Sequence, residues 1–123
     1  MDELRLRATR LAEAILGEVH GVSAVLAATV DGFELGGATG AGIDPARVAA
    51  LASSMSAIGD VVAGEARMGA SKCVTVETSD GFVLVQSIPR APTPLVMTVV
   101  AGGDAVLGLV KVRVAAAARE LAA

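Results

Sequence analysis

The string Asp-Gly-Phe-x-Leu occurs twice in this chain, at residues 31–35 and 80–84, and each copy stands between two runs of apolar or β-branched residues. An Asp-Gly pair in that setting is among the strongest short-range signals for a β-hairpin, because a tight primed turn requires positive φ at both central residues. Val22 to Val30 leads into the first turn and Phe33 to Ala38 leaves it; Cys73 to Ser79 leads into the second and Phe82 to Ile88 leaves it. Two hairpins of one pattern imply an antiparallel sheet. Alternation in the second pair sets Lys72, Val74, Val76 and Thr78 on one face and Cys73, Thr75 and Glu77 on the other. Leu95 to Val100, after the turn-rich Arg90-Ala-Pro-Thr-Pro94, adds a fifth strand of buried type.

Three helices accompany the strands. Leu4, Ala8, Leu11, Ile15 and Val19 recur in steps of three and four, which marks one face of an opening helix over residues 2 to 19, ended by Gly21. After a Gly-rich connector from Gly36 to Ile43, Asp44-Pro45 reads as an N-cap followed by Pro at the first helical position. The helix it opens extends to about Met68, about 24 residues or roughly 36 Å. Gly102-Gly103-Asp104 supplies a turn and an N-cap for the last segment. That segment alternates like a strand over Leu109 to Val114, yet Leu107, Val110, Val114, Ala118 and Leu121 recur like a helix, and its Ala-rich end favours the helix. The order α-β-β-α-β-β-β-α over 1–123 is a single α+β domain with a five-stranded antiparallel sheet.

Composition removes several classes of function. Hydrophobic residues make up 54% of the 123, which excludes disorder, while aromatics are only 2%, with two Phe and neither Trp nor Tyr. With a net charge of -3 there is no positive field for phosphates and no aromatic platform for bases, so nucleic acid is not an expected partner. The longest uncharged stretches, Val19 to Val30, Val48 to Gly59 and Ala91 to Gly103, run 12, 12 and 13 residues. A bilayer span needs about 20, so no direct membrane insertion is expected. The mixed charges of the first residues show no export signal, and the expected location is the cytoplasm.

Residues with chemical potential are few and scattered. His20 is the only histidine and reads as an exposed residue at the end of the first helix. Cys73, the only cysteine, reads as a packed strand residue, and Ser53, Ser54 and Ser56 lie in mid-helix without a base. Gly59 to Gly64 and Gly64 to Gly69 have phosphate-loop spacing, but Glu65 and Ala70 stand where Lys must be, and both lead from helix to strand rather than the reverse. Neither a catalytic set, a metal site nor a cofactor site can be assembled. The chain is expected to act through its surfaces, as a non-enzyme.

The middle helix carries two unlike stripes. Val48, Leu51, Met55, Ile58 and Val62 converge on one side, expected to lie on the sheet. Opposite stand Ala46, Ala50, Ser53, Ala57 and Gly64, with Asp60 as their only charge. Gly59 and Gly64 each cost a helix interior roughly 1 kcal/mol relative to Ala. Either another helix packs closely against this small-residue side, or Ala merely fills neutral surface.

Taken in order, the opening helix into Val19-His-Gly-Val-Ser-Ala-Val-Leu26, the Asp31-Gly32-Phe33 hairpin, the helix from Asp44 to Met68 containing Ala49-Ala-Leu-Ala-Ser-Ser-Met55, the second hairpin and Asp104-Ala-Val-Leu-Gly-Leu-Val110 resemble the Roadblock family of dynein light chains and bacterial GTPase-associated proteins. The resemblance covers about residues 4 to 121. It implies a profilin-like sandwich, with the first and last helices on one sheet face and the middle helix on the other. It also implies a homodimer through the middle helices and the third strands, mapped here to Ala46, Ala50, Ser53, Ala57, Gly64, Lys72, Val74 and Val76. A small Ras-like GTPase is the implied partner, which the family regulates or scaffolds without needing an arginine finger; Asp60 and Arg67 are the candidate contacts. A small-molecule-sensing or general interaction module is the alternative, weakened by the missing aromatic lining. A motor light chain would require a eukaryotic source, whereas eight Arg against two Lys and abundant Ala suggest a GC-rich bacterium.

Overall fold

Strand signals every few residues and glycine-marked turns produce one sheet in the computed structural model, which describes residues 2–40 and 42–123. The elements follow as α1 (Asp2–Glu18), β1 (Val22–Thr29), β2 (Glu34–Thr39), α2 (Pro45–Glu65), β3 (Cys73–Thr78), β4 (Gly81–Ile88), β5 (Leu95–Gly102) and α3 (Leu107–Ala122). The five strands lie in the order β2-β1-β5-β4-β3, every neighbouring pair antiparallel, so that β2 and β3 are the edges. The ambiguous last segment is helical: Val110, Val114, Ala117, Ala118 and Leu121 form its buried side.

Alternation along the strands feeds two unequal cores. On one face Val25, Leu35, Leu84, Ile88, Met97 and Val99 meet Leu4, Ala8, Ala12 and Ile15 of α1 and the buried side of α3. Arg7 donates to the Glu120 carbonyl near one end of this helix pair, and Arg113 reaches Glu18 at 3.2 Å near the other, so α1 and α3 run antiparallel. On the opposite face a smaller cluster joins Ala28, Val85 and Val96 to Ala49 and Ala52 of α2, with Met55 beside it. The helices therefore divide between the faces as the resemblance implies.

Both hairpins form at their Asp-Gly signals, but neither uses the primed turn, since neither Asp31 nor Asp80 has positive φ. In the first, Thr29 accepts from Gly32 N–H at 2.9 Å and donates to the Phe33 carbonyl at 2.9 Å, a three-residue loop closed by Gly32 at φ 95°. In the second, Thr78 pairs with Gly81, so Ser79-Asp80 is the loop and Gly81 already belongs to the strand. A Cβ on Gly81 would fall 2.0 Å from the Ala101 carbonyl oxygen, so close passage of β5 demands the glycine. Close approach also explains Gly36 and Gly37, which belong to β2 rather than to the connector: a Cβ on Gly36 would fall 2.3 Å from Thr9 Oγ1 of α1. Of that connector, Ala41 lies outside the described residues.

Caps divide similarly. Asp44 caps α2 as expected, its carboxylate accepting from Ala46 N–H at 3.1 Å and Arg47 N–H at 3.4 Å. Asp104 does not cap α3, which begins after Val106 without a side-chain cap. It sits instead 2.8 Å from His20 Nε2, an exposed pair joining the end of α1 to the loop before α3.

Candidate functional site

α2 lies on the sheet by its small residues. Ala49, Ala52 and Ser56 are its buried positions, whereas Leu51, Ile58, Val61 and Val62 are 58%, 63%, 64% and 62% exposed. This corrects the expectation that Leu51, Ile58 and Val62 lie on the sheet, although Val48 and Met55 of the same stripe are less exposed, Met55 being half-buried against the small cluster. With apolar residues on both sides, the helix is oriented by closeness of approach. At Gly59 an added Cβ would meet Val74 Cγ2 at 2.6 Å, so this glycine admits β3 of the same chain and is not reserved for another subunit. Beside Gly64 nothing lies within 4 Å of such an atom.

Of the small stripe, Ala46, Ala50, Ala57 and Gly64 are exposed, while Ser53 turns inward and donates to the Val30 carbonyl, holding the β1–β2 hairpin against α2. In β3, Val74 is half-buried and Val76 is exposed; Lys72 precedes the strand and accepts from Ser87 N–H through its carbonyl at 2.9 Å. Asp60 is exposed and accepts from Ser71 N–H at 3.1 Å, so it braces the connection from α2 to β3. Arg67 ends the helix in the left-handed region, φ 57°, where its N–H bonds the Gly64 carbonyl and that of Met68 bonds the Ala63 carbonyl. This is a Schellman closure with arginine where glycine is usual. The candidate partner contacts Asp60 and Arg67 thus lie near the same end of α2.

The energetic asymmetry identifies the site. α1 and α3 bury Leu, Ile and Val side chains, whereas α2 buries only Ala and Ser completely. Covering a large apolar side chain is worth about 1.5–3 kcal/mol, so the four exposed ones hold roughly 1–2 kcal/mol each in reserve. Sequence reasoning missed this face because it sent the larger residues inward. The signal was the near absence of charge: only Arg47, Asp60 and Glu65 interrupt 21 residues. By length and composition α2 even meets the minimum for a membrane span, so charge spacing does not exclude one; here it lies across the sheet.

Beside the helix, Val48, Leu51, Ala52, Met55, Val76, Val83, Thr98 and Val100 line a groove of about 200 Å³ between α2 and the sheet. Only the Thr98 hydroxyl offers it a polar side chain, which suits an apolar side chain better than a small polar ligand. Among the described residues no group of three His, Cys, Asp or Glu is arranged to hold a metal ion. Cys73 is a free, half-buried thiol 4.0 Å from Thr75 Oγ1.

A five-stranded antiparallel sheet with paired terminal helices on one face and one middle helix on the other is the Roadblock/LC7 fold. The chain superimposes on a Roadblock/LC7 domain from Streptomyces avermitilis with a TM-score of 0.79, 21% identity, and coverage of 91% of this chain and 92% of that one. It is similar to MglB in a tetrameric arrangement (TM-score 0.81, 21% identity, 97% and 88% covered) and to the gliding protein MglB of Thermus thermophilus (0.80, 20%, 97% and 88%). Compared by sequence, the chain matches no protein-family model and no curated protein.

Proposed function

We propose that this chain is a cytoplasmic, non-enzymatic homodimer that regulates or scaffolds a small Ras-like GTPase. The observation that carries the reading is the uncovered apolar face of α2, with Leu51, Ile58, Val61 and Val62 exposed beside an unpaired strand edge. A second copy covers that face and extends the sheet at β3, with Lys72, Val74 and Val76 along the joint and Ala46, Ala50, Ala57 and Gly64 at the rim. Ser53 takes part only indirectly, through the hairpin it holds. The GTPase role follows from the resemblance to bacterial Roadblock proteins, supported by the fold shared with MglB structures. Asp60 and Arg67, at the C-terminal end of α2, are the contacts assigned to the GTPase.

The test is capture of a Ras-like GTPase encoded beside this chain, loaded with GDP or a non-hydrolysable GTP analogue. Retention of one nucleotide state over the other is expected. Failure of both states to bind refutes the partner assignment, and unchanged hydrolysis at saturating protein limits the role to scaffolding.

A further inference from the structure

Among the described residues only Thr29, Ser56 and Thr98 are buried polar side chains. Ser56 is 3% exposed, on a helix whose other buried positions, Ala49 and Ala52, carry no polar atom, so packing alone does not call for its hydroxyl. Its one side-chain partner is the Ser87 hydroxyl of β4, 3.5 Å away. An O–H···O bond usually spans about 2.5–3.0 Å, so neither hydroxyl is fully used by the other. Both line a cleft of about 260 Å³ under the C-terminal half of α2, with Val30, Ile88, Pro94 and Val96 among its apolar walls. Asp60 is the only charged residue lining it; Arg67 and Arg90, close by in sequence, do not. One Asp60 oxygen accepts from Ser71 N–H at 3.1 Å, which fixes the carboxylate. No cation of the chain neutralises it, the ion pairs among the described residues being Arg113–Glu18 and His20–Asp104.

We propose that this cleft binds a primary ammonium group carried on a short aliphatic stem, with Asp60, Ser56 and Ser87 as its acceptors and the apolar walls around the stem. An anion would meet the Asp60 charge, and a wholly apolar guest would bury two hydroxyls without completing their hydrogen bonds, which is costly. An ammonium has three donors and no acceptor, and the second Asp60 oxygen and the two hydroxyls match it in number. Ser56 and Asp60 stand four residues apart on α2 and so share one side of the helix. Size selects the stem. The cleft is smaller than the roughly 300–1,000 Å³ of sites for larger ligands, which suits a chain of a few carbons, the length of a lysine side chain. The site shares no lining residue with the groove of Val48, Leu51 and Met55, and none of the exposed Leu51, Ile58, Val61 and Val62 lines it, so the assignment stands apart from self-association.

Titration of the full chain with n-butylammonium at low salt, followed by amide chemical shifts, tests this. Saturable shifts at residues 56, 60, 71 and 87 are expected, with a dissociation constant on the order of 1 mM for so small a ligand. Butanol, which keeps the stem without the charge, and butyrate, which reverses the charge, should bind at least about tenfold more weakly. Asp60→Asn retains an oxygen for Ser71 N–H and should weaken butylammonium about tenfold, and Ser56→Ala should weaken it several-fold, with spectra otherwise unchanged. Butanol binding as tightly as butylammonium, shifts that never saturate, shifts confined to other residues, or full affinity in Asp60→Asn each overturn the proposal. The first three are read on the unmodified chain and need no variant to fold. N-acetyl-lysine methylamide distinguishes the source of the amine: affinity equal to that of butylammonium assigns the site to a lysine of a docked protein, and binding of butylammonium alone assigns it to a free alkylamine.

Discussion

Alanine substituted singly at Gly59 and Gly64 should move stability in opposite directions. Each substitution removes the same intrinsic penalty, since Gly costs a helix interior about 1 kcal/mol relative to Ala. At Gly64 the added Cβ enters open space, with nothing within 4 Å, so the whole gain of about 1 kcal/mol should appear. At Gly59 the Cβ would fall 2.6 Å from Val74 Cγ2 and 2.9 Å from Ser71 Oγ. Val74 is stiff at χ1 and belongs to a hydrogen-bonded strand, so the helix must lift or the strand must shift. Overpacking of that kind costs about 1–3 kcal/mol, leaving Gly59→Ala destabilised by roughly 0–2 kcal/mol. The variants should therefore differ by about 1–3 kcal/mol, a separation of roughly 1 M in urea midpoint for a domain of this size. Equilibrium urea unfolding followed by circular dichroism measures it, with protein concentration held constant because association adds to apparent stability. Equal midpoints would refute the seating of α2 against β3, and with it the assignment of the outer face.

Asp44→Ala removes the two hydrogen bonds that cap α2 and should cost about 1 kcal/mol, read as a lower urea midpoint with unchanged m-value; no change would show that the cap is idle. Arg67→Gly relieves a left-handed arginine and should stabilise the chain by about 1 kcal/mol while weakening capture of the GTPase. A loss of stability would contradict the backbone argument, and undiminished capture would remove Arg67 from the partner surface.

The layered fold was legible because each element carries its own local signal. Asp44-Pro45 announces a helix start, the two Asp-Gly pairs announce hairpins, and the Leu107 to Leu121 periodicity reads as a helix. What local signals could not decide is which of two apolar faces of α2 turns inward. The usual rule sends the larger side chains to the core, but here Ala49, Ala52, Ser56 and Gly59 turn toward the sheet and bring the helix close, leaving Leu51, Ile58, Val61 and Val62 outside. These small residues make the close approach to the sheet, whereas Ala46, Ala50, Ala57 and Gly64 of the stripe that the sequence pointed to are exposed. Turn anatomy was equally hidden, because the need for glycine at 81 arises from the Ala101 carbonyl of a strand about twenty residues later in the chain. The His20–Asp104 pair joins residues distant in sequence and left no local trace.

Sedimentation equilibrium of the unmodified chain beside Ile58→Glu tests the central claim, that the outer face of α2 binds a second copy. Ile58 is 63% exposed in the single chain, so a charge there should leave the fold and its circular dichroism intact. The account predicts twice the chain mass for the unmodified protein and a single chain mass for Ile58→Glu. A monomer in both, or an undiminished dimer in the variant, would contradict it.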